Sequence, residues 1–184
     1  MNTRDKIIQL GDNLIRERGY NAFSFSDISK ELSIKNASIH YYFPTKSALV
    51  ISIIRKHIIQ LEKFKTNIIQ EEPIKKITKF LTVYSFARRG GKISILGALS
   101  HDYNSFSEEV QSELKILTDD TITWLTETLN LGKIRGDFGF MEDTRIKAML
   151  LITNILGAEQ LSRITYNHDF EEIKDSIINN LRNF

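Results

Sequence analysis

Residues 23–46 read FSFSDISKELSIKNASIHYYFPTK, and the order of caps, apolar positions and breakers in this stretch decides how the rest of the chain is read. Ser24 and Asp27 stand three apart, the spacing of a capping box in which a hydroxyl and a carboxylate satisfy each other's backbone N–H groups, so a helix is predicted from Phe25. Ile28 and Leu32 give that helix one apolar stripe, and Ser33-Ile34 leaves room only for a turn. A second helix is predicted from about Asn36 to Phe43, with Ile39 and Phe43 turned to the core. Ala37, Ser38 and Tyr41 then face outward, flanked by Asn36, His40 and Tyr42. A face of small, polar and aromatic groups without a lysine–glutamate lattice suits close approach to the groove of a duplex, where bulky charged chains hold a backbone off. Pro44 ends this helix and Thr45 is placed to cap a longer one that opens with Lys46. Free N–H groups and the helix dipole favour an anion at such an end, so Lys46 is expected beside a phosphate. Two short helices, a tight turn and a third helix make the layout of a helix-turn-helix reader of DNA.

Charge follows the same division. Residues 1–66 hold 11 Lys/Arg against 6 Asp/Glu, giving +5, whereas residues 67–184 hold 14 against 17, giving −3. The basic part coincides with the predicted reader, as phosphate neutralisation requires, and Arg4 and Lys6 extend it as a short arm. The 184 residues contain no cysteine, which excludes disulfides and thiolate metal sites. No apolar run approaches the roughly 18–20 residues that span a bilayer, and the opening MNTRDK lacks the apolar segment of a secretory signal, so a cytoplasmic chain is expected.

The remainder reads as helix throughout. Leu49, Ile53, Ile54, Ile58, Leu61, Phe64 and Ile68 recur at three- and four-residue intervals from Thr45 to about Ile69. Pro73 opens a further helix bearing Ile77, Phe80, Leu81 and Tyr84, and Gly90-Gly91 closes it. Ser105 and Glu108 match a capping box ahead of a helix that stops at Gly132 or just beyond. An apolar helix follows from about Asp143 to Tyr166, and Asp169 with Glu172 marks a last one carrying Ile173, Ile177, Ile178 and Leu181. The predicted class is all-α, with about nine helices: an N-terminal three-helix helix-turn-helix domain over residues 1–46 and a helical bundle over 47–184. The last two long helices are apolar on more than one stripe, and Gly157-Ala158 lets another helix come near. Met149, Ile152, Leu156, Gly157, Leu161, Ile164, Ile173, Ile177 and Leu181 are therefore expected at a homodimer interface.

Residues 7–49 resemble the DNA-binding domain of the TetR family of bacterial transcriptional regulators. The resemblance rests on Ile7, Leu10, Leu14 and Ile15, then Gly19-Tyr20, then Ser24-x-x-Asp27-Ile28, then the run from Ala37 to Lys46. Gly11, Ala37 and His40 depart from the family's usual Ala, Gly and Tyr. A helical Gly11 costs roughly 1 kcal/mol against Ala, and closer packing by a neighbouring helix is the expected recompense. The resemblance implies a dimer that reads a palindromic operator through half-sites in successive major grooves, acts as a repressor, and is released by a small-molecule effector. Base-edge or groove contacts fall to Lys35, Asn36, Ala37, Ser38, His40 and Tyr41, and phosphate contacts to Ser24, Ser26, Tyr42 and Lys46. It also implies an effector pocket among the middle helices, for which Phe80, Tyr84, His101, Tyr103, Thr121, Trp124 and Asn154 are the candidate lining.

Two other classes fit less well. An enzyme would need a reactive constellation, yet His101-Asp102 are neighbours that face different ways on a helix, no His-Glu-x-x-His motif occurs, and Gly91-Lys92 lacks both the first glycine and the Ser/Thr of a phosphate loop. No enzymatic activity and no cofactor are expected. A helical protein–protein interaction module would explain the apolar terminal helices but not the basic reading head.

Overall fold

The computed structural model describes residues 2–165 and 167–182; Tyr166, the predicted end of the penultimate helix, lies outside the described residues. Among the described residues there are nine α-helices, two 3-10 turns and no strand. They run α1 (Thr3–Arg18), a 3-10 turn (Tyr20–Ala22), α2 (Phe25–Leu32), α3 (Asn36–Tyr42), α4 (Lys46–Asn67), α5 (Pro73–Arg89), α6 (Ile95–Leu99), a 3-10 segment (Ser100–Ser105), α7 (Glu108–Ile134), α8 (Thr144–Leu161) and α9 (Asn167–Arg182).

Local chemistry accounts for most of these boundaries. The Asn2 side chain accepts from the Asp5 N–H at 2.8 Å and starts α1. The Ser24–Asp27 box forms in full, with the Asp27 carboxylate accepting from the Ser24 N–H at 2.7 Å. The α2–α3 turn places Ser33 at φ 53°, a left-handed conformation that ends α2. Thr45 Oγ1 accepts from the Ala48 N–H at 3.1 Å, as its predicted cap role requires. The box expected of Ser105 and Glu108 does not form. Ser105 donates instead to the Asp102 carbonyl at 2.7 Å, and α7 begins at Glu108, directly after Ser107. The last helix also begins earlier than the Asp169 signal indicates, at Asn167, so Asp169 lies in its first turn.

The chain divides into two compact units. The first comprises Met1–Leu61 and Ile95–Leu117, the second Glu62–Ser94 and Thr118–Phe184. The boundary expected at 46/47 falls later in this division: α4 as far as Leu61 and the 95–117 segment group with the reading head. The reason is packing. A Cβ on Gly11 of α1 would stand 3.1 Å from Leu49 Cδ2 and 3.1 Å from Ile53 Cδ1 of α4, the close approach anticipated for that glycine. Ile7, Ile15, Ile28, Ile39, Leu49, Val50, Ile53 and Ile54 are all fully buried in this unit. Each contributes about 1.5–3 kcal/mol on the usual area scale.

The second unit is built on α5, α8 and α9, with Leu125 and Leu129 of α7. Gly132 lets the chain fold back on itself: the ring of Phe138 occupies the space a Cβ there would take, only 2.2 Å from its ideal position. Gly136, at φ +75°, makes the reversal. Ile152, Ile177 and Leu181, expected at a dimer interface, are buried within this core, and Leu156 and Ile173 pack partly against it. The expectation fails for the three buried residues because α8 and α9 pack against each other and against α5 of their own chain, which takes Ile152 of α8 and Ile177 and Leu181 of α9 into the core.

Candidate nucleic-acid interface

α3 has seven residues, and its two faces have different fates. Ile39 and Phe43 are buried against the first unit's core, which fixes the helix's rotation. Lys35, Asn36, Ala37, His40 and Tyr41 are exposed together, with Ser38 half-buried between them. Tyr41 is 82% exposed, an unusual state for a large aromatic ring and one that keeps it available to a groove. Tyr42 is less exposed and meets Tyr41 edge-on, their ring centres 5.1 Å apart. His40 is held by its Nδ1, which donates to the Pro44 carbonyl at 3.4 Å, and by an edge contact with Phe25 at 5.1 Å.

The expected phosphate contacts divide. Ser26 is half-buried in the first turn of α2, while Ser24 commits its hydroxyl to the Asp27 carboxylate at 2.7 Å. That bond and the paired backbone bond to Ser24 hold the Asp27 carboxyl below the usual aspartate range. Lys46 departs furthest from expectation. Its ammonium donates to the carbonyls of Tyr20 at 2.5 Å and Phe23 at 2.7 Å. It also lies over both rings, 4.3 Å from the centre of Tyr20 and 4.2 Å from that of Phe23. Partial burial lowers its pKa from the ordinary lysine value, against the opposing charges of Asp102 and Asp27. In the free chain two carbonyls and two rings therefore surround the ammonium that the sequence places beside a phosphate.

Arg4 supplies a cation that the sequence marked only as part of an arm. Its guanidinium stands 5.3 Å from the centre of the Phe43 ring, at the end of α3, and donates weakly to Ser52 at 3.4 Å. The residues that sequence reading missed are Tyr20 and Phe23, which shape the seat of Lys46. Gly19-Tyr20 was visible as a motif, and Phe23 precedes an N-cap, the place of a hydrophobic staple. Neither signal names a lysine as the partner.

The candidate effector lining does not gather as expected. Phe80, Tyr84, Thr121 and Trp124 lie in the second unit, where Phe80 touches Tyr84 and Trp124 with ring centres 5.3 and 5.4 Å apart, and Phe64 joins Trp124 at 5.7 Å. Burial, with Glu159 nearby, pushes the Tyr84 hydroxyl well above the usual tyrosine range, so it is neutral. His101 and Tyr103 are instead exposed on the Ser100–Ser105 segment of the first unit, and Asn154 is exposed on α8. These three are corrected: helical phase turns Asn154 outward, and a 3-10 segment replaces the regular helix assumed around His101.

Comparison with known proteins agrees with this architecture. The family description "bacterial regulatory proteins, tetR family" matches residues 7–53, the span from α1 through the first turns of α4. The HTH-type transcriptional repressor NemR of Escherichia coli K12 is 22% identical over 181 residues, covering 95% of this chain and 90% of its own. A TetR transcriptional regulator from Legionella pneumophila superposes with a TM-score of 0.88 at 27% identity, over 98% of both chains. The structure of AibR in complex with isovaleryl coenzyme A and operator DNA superposes with a TM-score of 0.78 at 16% identity, over 98% of both chains. Residues 7–53 thus match the DNA-binding domain of the tetR family of bacterial regulatory proteins, the whole chain has the fold of TetR-family regulators, and its function is that of a DNA-binding regulator of transcription.

Proposed function

We propose that this regulator is a cytoplasmic repressor that binds a palindromic operator as a homodimer and is released by a small-molecule effector. The observation that carries the reading is the outer face of α3, where Lys35, Asn36, Ala37, His40 and Tyr41 are exposed together on a helix anchored by buried Ile39 and Phe43. Lys35, Asn36, Ala37, Ser38, His40 and Tyr41 take the groove contacts in this reading. Ser26, Tyr42 and Lys46 take phosphates, with Arg4 beside them. NemR, a relative, is itself a repressor, and AibR has been seen with both an acyl-coenzyme A and its operator. Among the described residues no helix is long and apolar enough to cross a membrane.

Dimerisation rests on α8. With Ala148, Leu151, Ile155 and Ala158 turned to its own core, the opposite face still carries Ile146, Met149, Leu150 and Leu161 exposed at helical spacing, and Ile164 just beyond. Nothing stands within 4 Å of the Cβ position at Gly157, so a second helix has open access there. A second copy of the same face is the occupant that matches an apolar stripe of this kind. The aromatic group of Phe64, Phe80, Tyr84 and Trp124, with buried Thr121, favours an apolar or aromatic effector. Selection of bound duplexes from a random pool tests the reading. An inverted repeat with half-sites about one helical turn apart supports it, and recovery of no sequence, with no salt-dependent DNA affinity, sinks it.

A further inference from the structure

His40 stands exposed in the last turn of α3, between buried Ile39 and exposed Tyr41. Two uncharged contacts hold its ring. Phe25 of α2 meets it edge-on with centres 5.1 Å apart, and its Nδ1 lies 3.4 Å from the Pro44 carbonyl oxygen. A carbonyl oxygen only accepts, so Nδ1 carries the proton of the neutral ring. Nε2 is then a bare acceptor, and it has no hydrogen-bond partner among the described residues. The charged groups of the neighbouring elements are engaged elsewhere or make no bond to the ring. On α2, Asp27 is bound by Ser24, and Lys30 and Glu31 are exposed without a contact to His40. From α1, Arg4 reaches Phe43 and Ser52 instead, and Lys46 of α4 donates to Tyr20 and Phe23.

We propose that His40 reads the duplex through Nε2 in two opposite senses, as an acceptor when the ring is neutral and as a donor once it is protonated, so that DNA affinity rises as pH falls across the imidazole range. This rests on the DNA-binding reading above and names the regulation of that same interface. Phosphate oxygens and the N7 and O6 of guanine are acceptors only, and the lone pair of a neutral Nε2 opposes them. Proton uptake from water at Nε2 adds an N–H and a positive charge there, and the opposition becomes a charge-assisted hydrogen bond. Nδ1 keeps its proton and its carbonyl in both states, so the inversion needs no movement of the ring. The shared chemistry of the target is a hydrogen-bond acceptor on the duplex, and a phosphate and a guanine edge are its two sources.

The test uses the full chain and a duplex recovered by selection, with affinity measured at fixed salt from about pH 8 down to about pH 5.5, the range in which an imidazole changes charge. Wild type is expected to gain about tenfold per reading head, the difference between a neutral and a charge-assisted hydrogen bond. His40→Gln keeps a polar side chain but no titrating ring, and is expected to lose that gain. His57, His101 and His168 remain in the variant, so the difference between the two profiles belongs to His40 alone. Identical profiles overturn the proposal. Selection repeated at both ends of the pH range separates the two sources. A position that moves from adenine or cytosine to guanine as pH falls identifies a base edge, whereas an unchanged consensus with a salt slope steeper by about 0.9 per head identifies a phosphate. Nitrogen-15 spectra of the histidine rings in the free chain give an arm independent of both the variant and the duplex. A neutral His40 protonated on Nδ1 is expected, and a proton on Nε2 instead overturns the proposal. Salt-dependent affinity without a pH difference sinks this inference alone; no salt-dependent affinity at any pH sinks the DNA-binding reading and takes the inference with it.

Discussion

Removing His57 should expose how the reading head is held together. Asp12 of α1 is only 3% exposed, and its Oδ1 accepts from His57 Nε2 of α4 at 2.7 Å. Arg16 at 3.7 Å and Lys56 at 3.8 Å complete its surroundings. Burial raises the Asp12 pKa, but the His57 hydrogen bond, with the charges of His57, Arg16 and Lys56, outweighs it and leaves the carboxyl below its ordinary 3.8. His57→Leu takes away the one short partner and leaves a buried carboxylate. Breaking a buried pair from one side typically costs about 3–5 kcal/mol, and the two remaining cations soften that to about 2–4 kcal/mol here. The assay is urea denaturation at neutral pH, comparing wild type, His57→Leu and Asp12→Leu/His57→Leu. The double variant replaces both polar groups by apolar ones and should recover much of the loss. The pH dependence carries a sign. A carboxyl whose folded pKa lies below its unfolded value contributes stability that is complete above pH about 4 and is lost as pH falls through the lower folded value. The gap between wild type and His57→Leu should therefore be widest above that pH and close below it. A single variant within about 0.5 kcal/mol of wild type, or a double variant worse than the single, would refute the assignment of Asp12–His57 as a stabilising bond between α1 and α4.

Other outcomes follow from named contacts. Asn36→Ala should change which duplex is preferred, at a discrimination of about 1–3 kcal/mol for one base pair, and repeating the selection with the variant checks it; an unaltered consensus removes Asn36 from the reading face. Gly132→Ala gains roughly 1 kcal/mol of helix propensity but drives a methyl into the Phe138 ring, 2.2 Å from its carbon atoms. Overpacking at about 1–3 kcal/mol should win, giving a lower melting temperature; in a Phe138→Ala background the same change should turn neutral or stabilising. Met149→Glu with Leu150→Lys places charges on the exposed face of α8. Sedimentation should then find monomers with the helical content intact, and an undisturbed dimer would move the interface elsewhere.

Much of the reader was legible without coordinates because its signals are exchanged within four residues. The Ser24–Asp27 box, the Thr45 cap and the burial of Ile39 and Phe43 each depend on near neighbours along one helix, so residue type and spacing suffice to place them. Gly11 was legible in kind, as a close approach, while its partners Leu49 and Ile53 were not. What only the tertiary structure decided involves groups far apart in the chain. A lysine has the same local signature whether its tip reaches water, a phosphate or a pair of carbonyls; Lys46 found acceptors 26 and 23 residues back, and His57 found Asp12 at a separation of 45. The apolar stripes of α8 and α9 likewise look alike in sequence. Packing turned Ile152, Ile177 and Leu181 inward and left Met149, Leu161 and Ile164 outside, because a helix with two apolar faces can bury only one against its own chain.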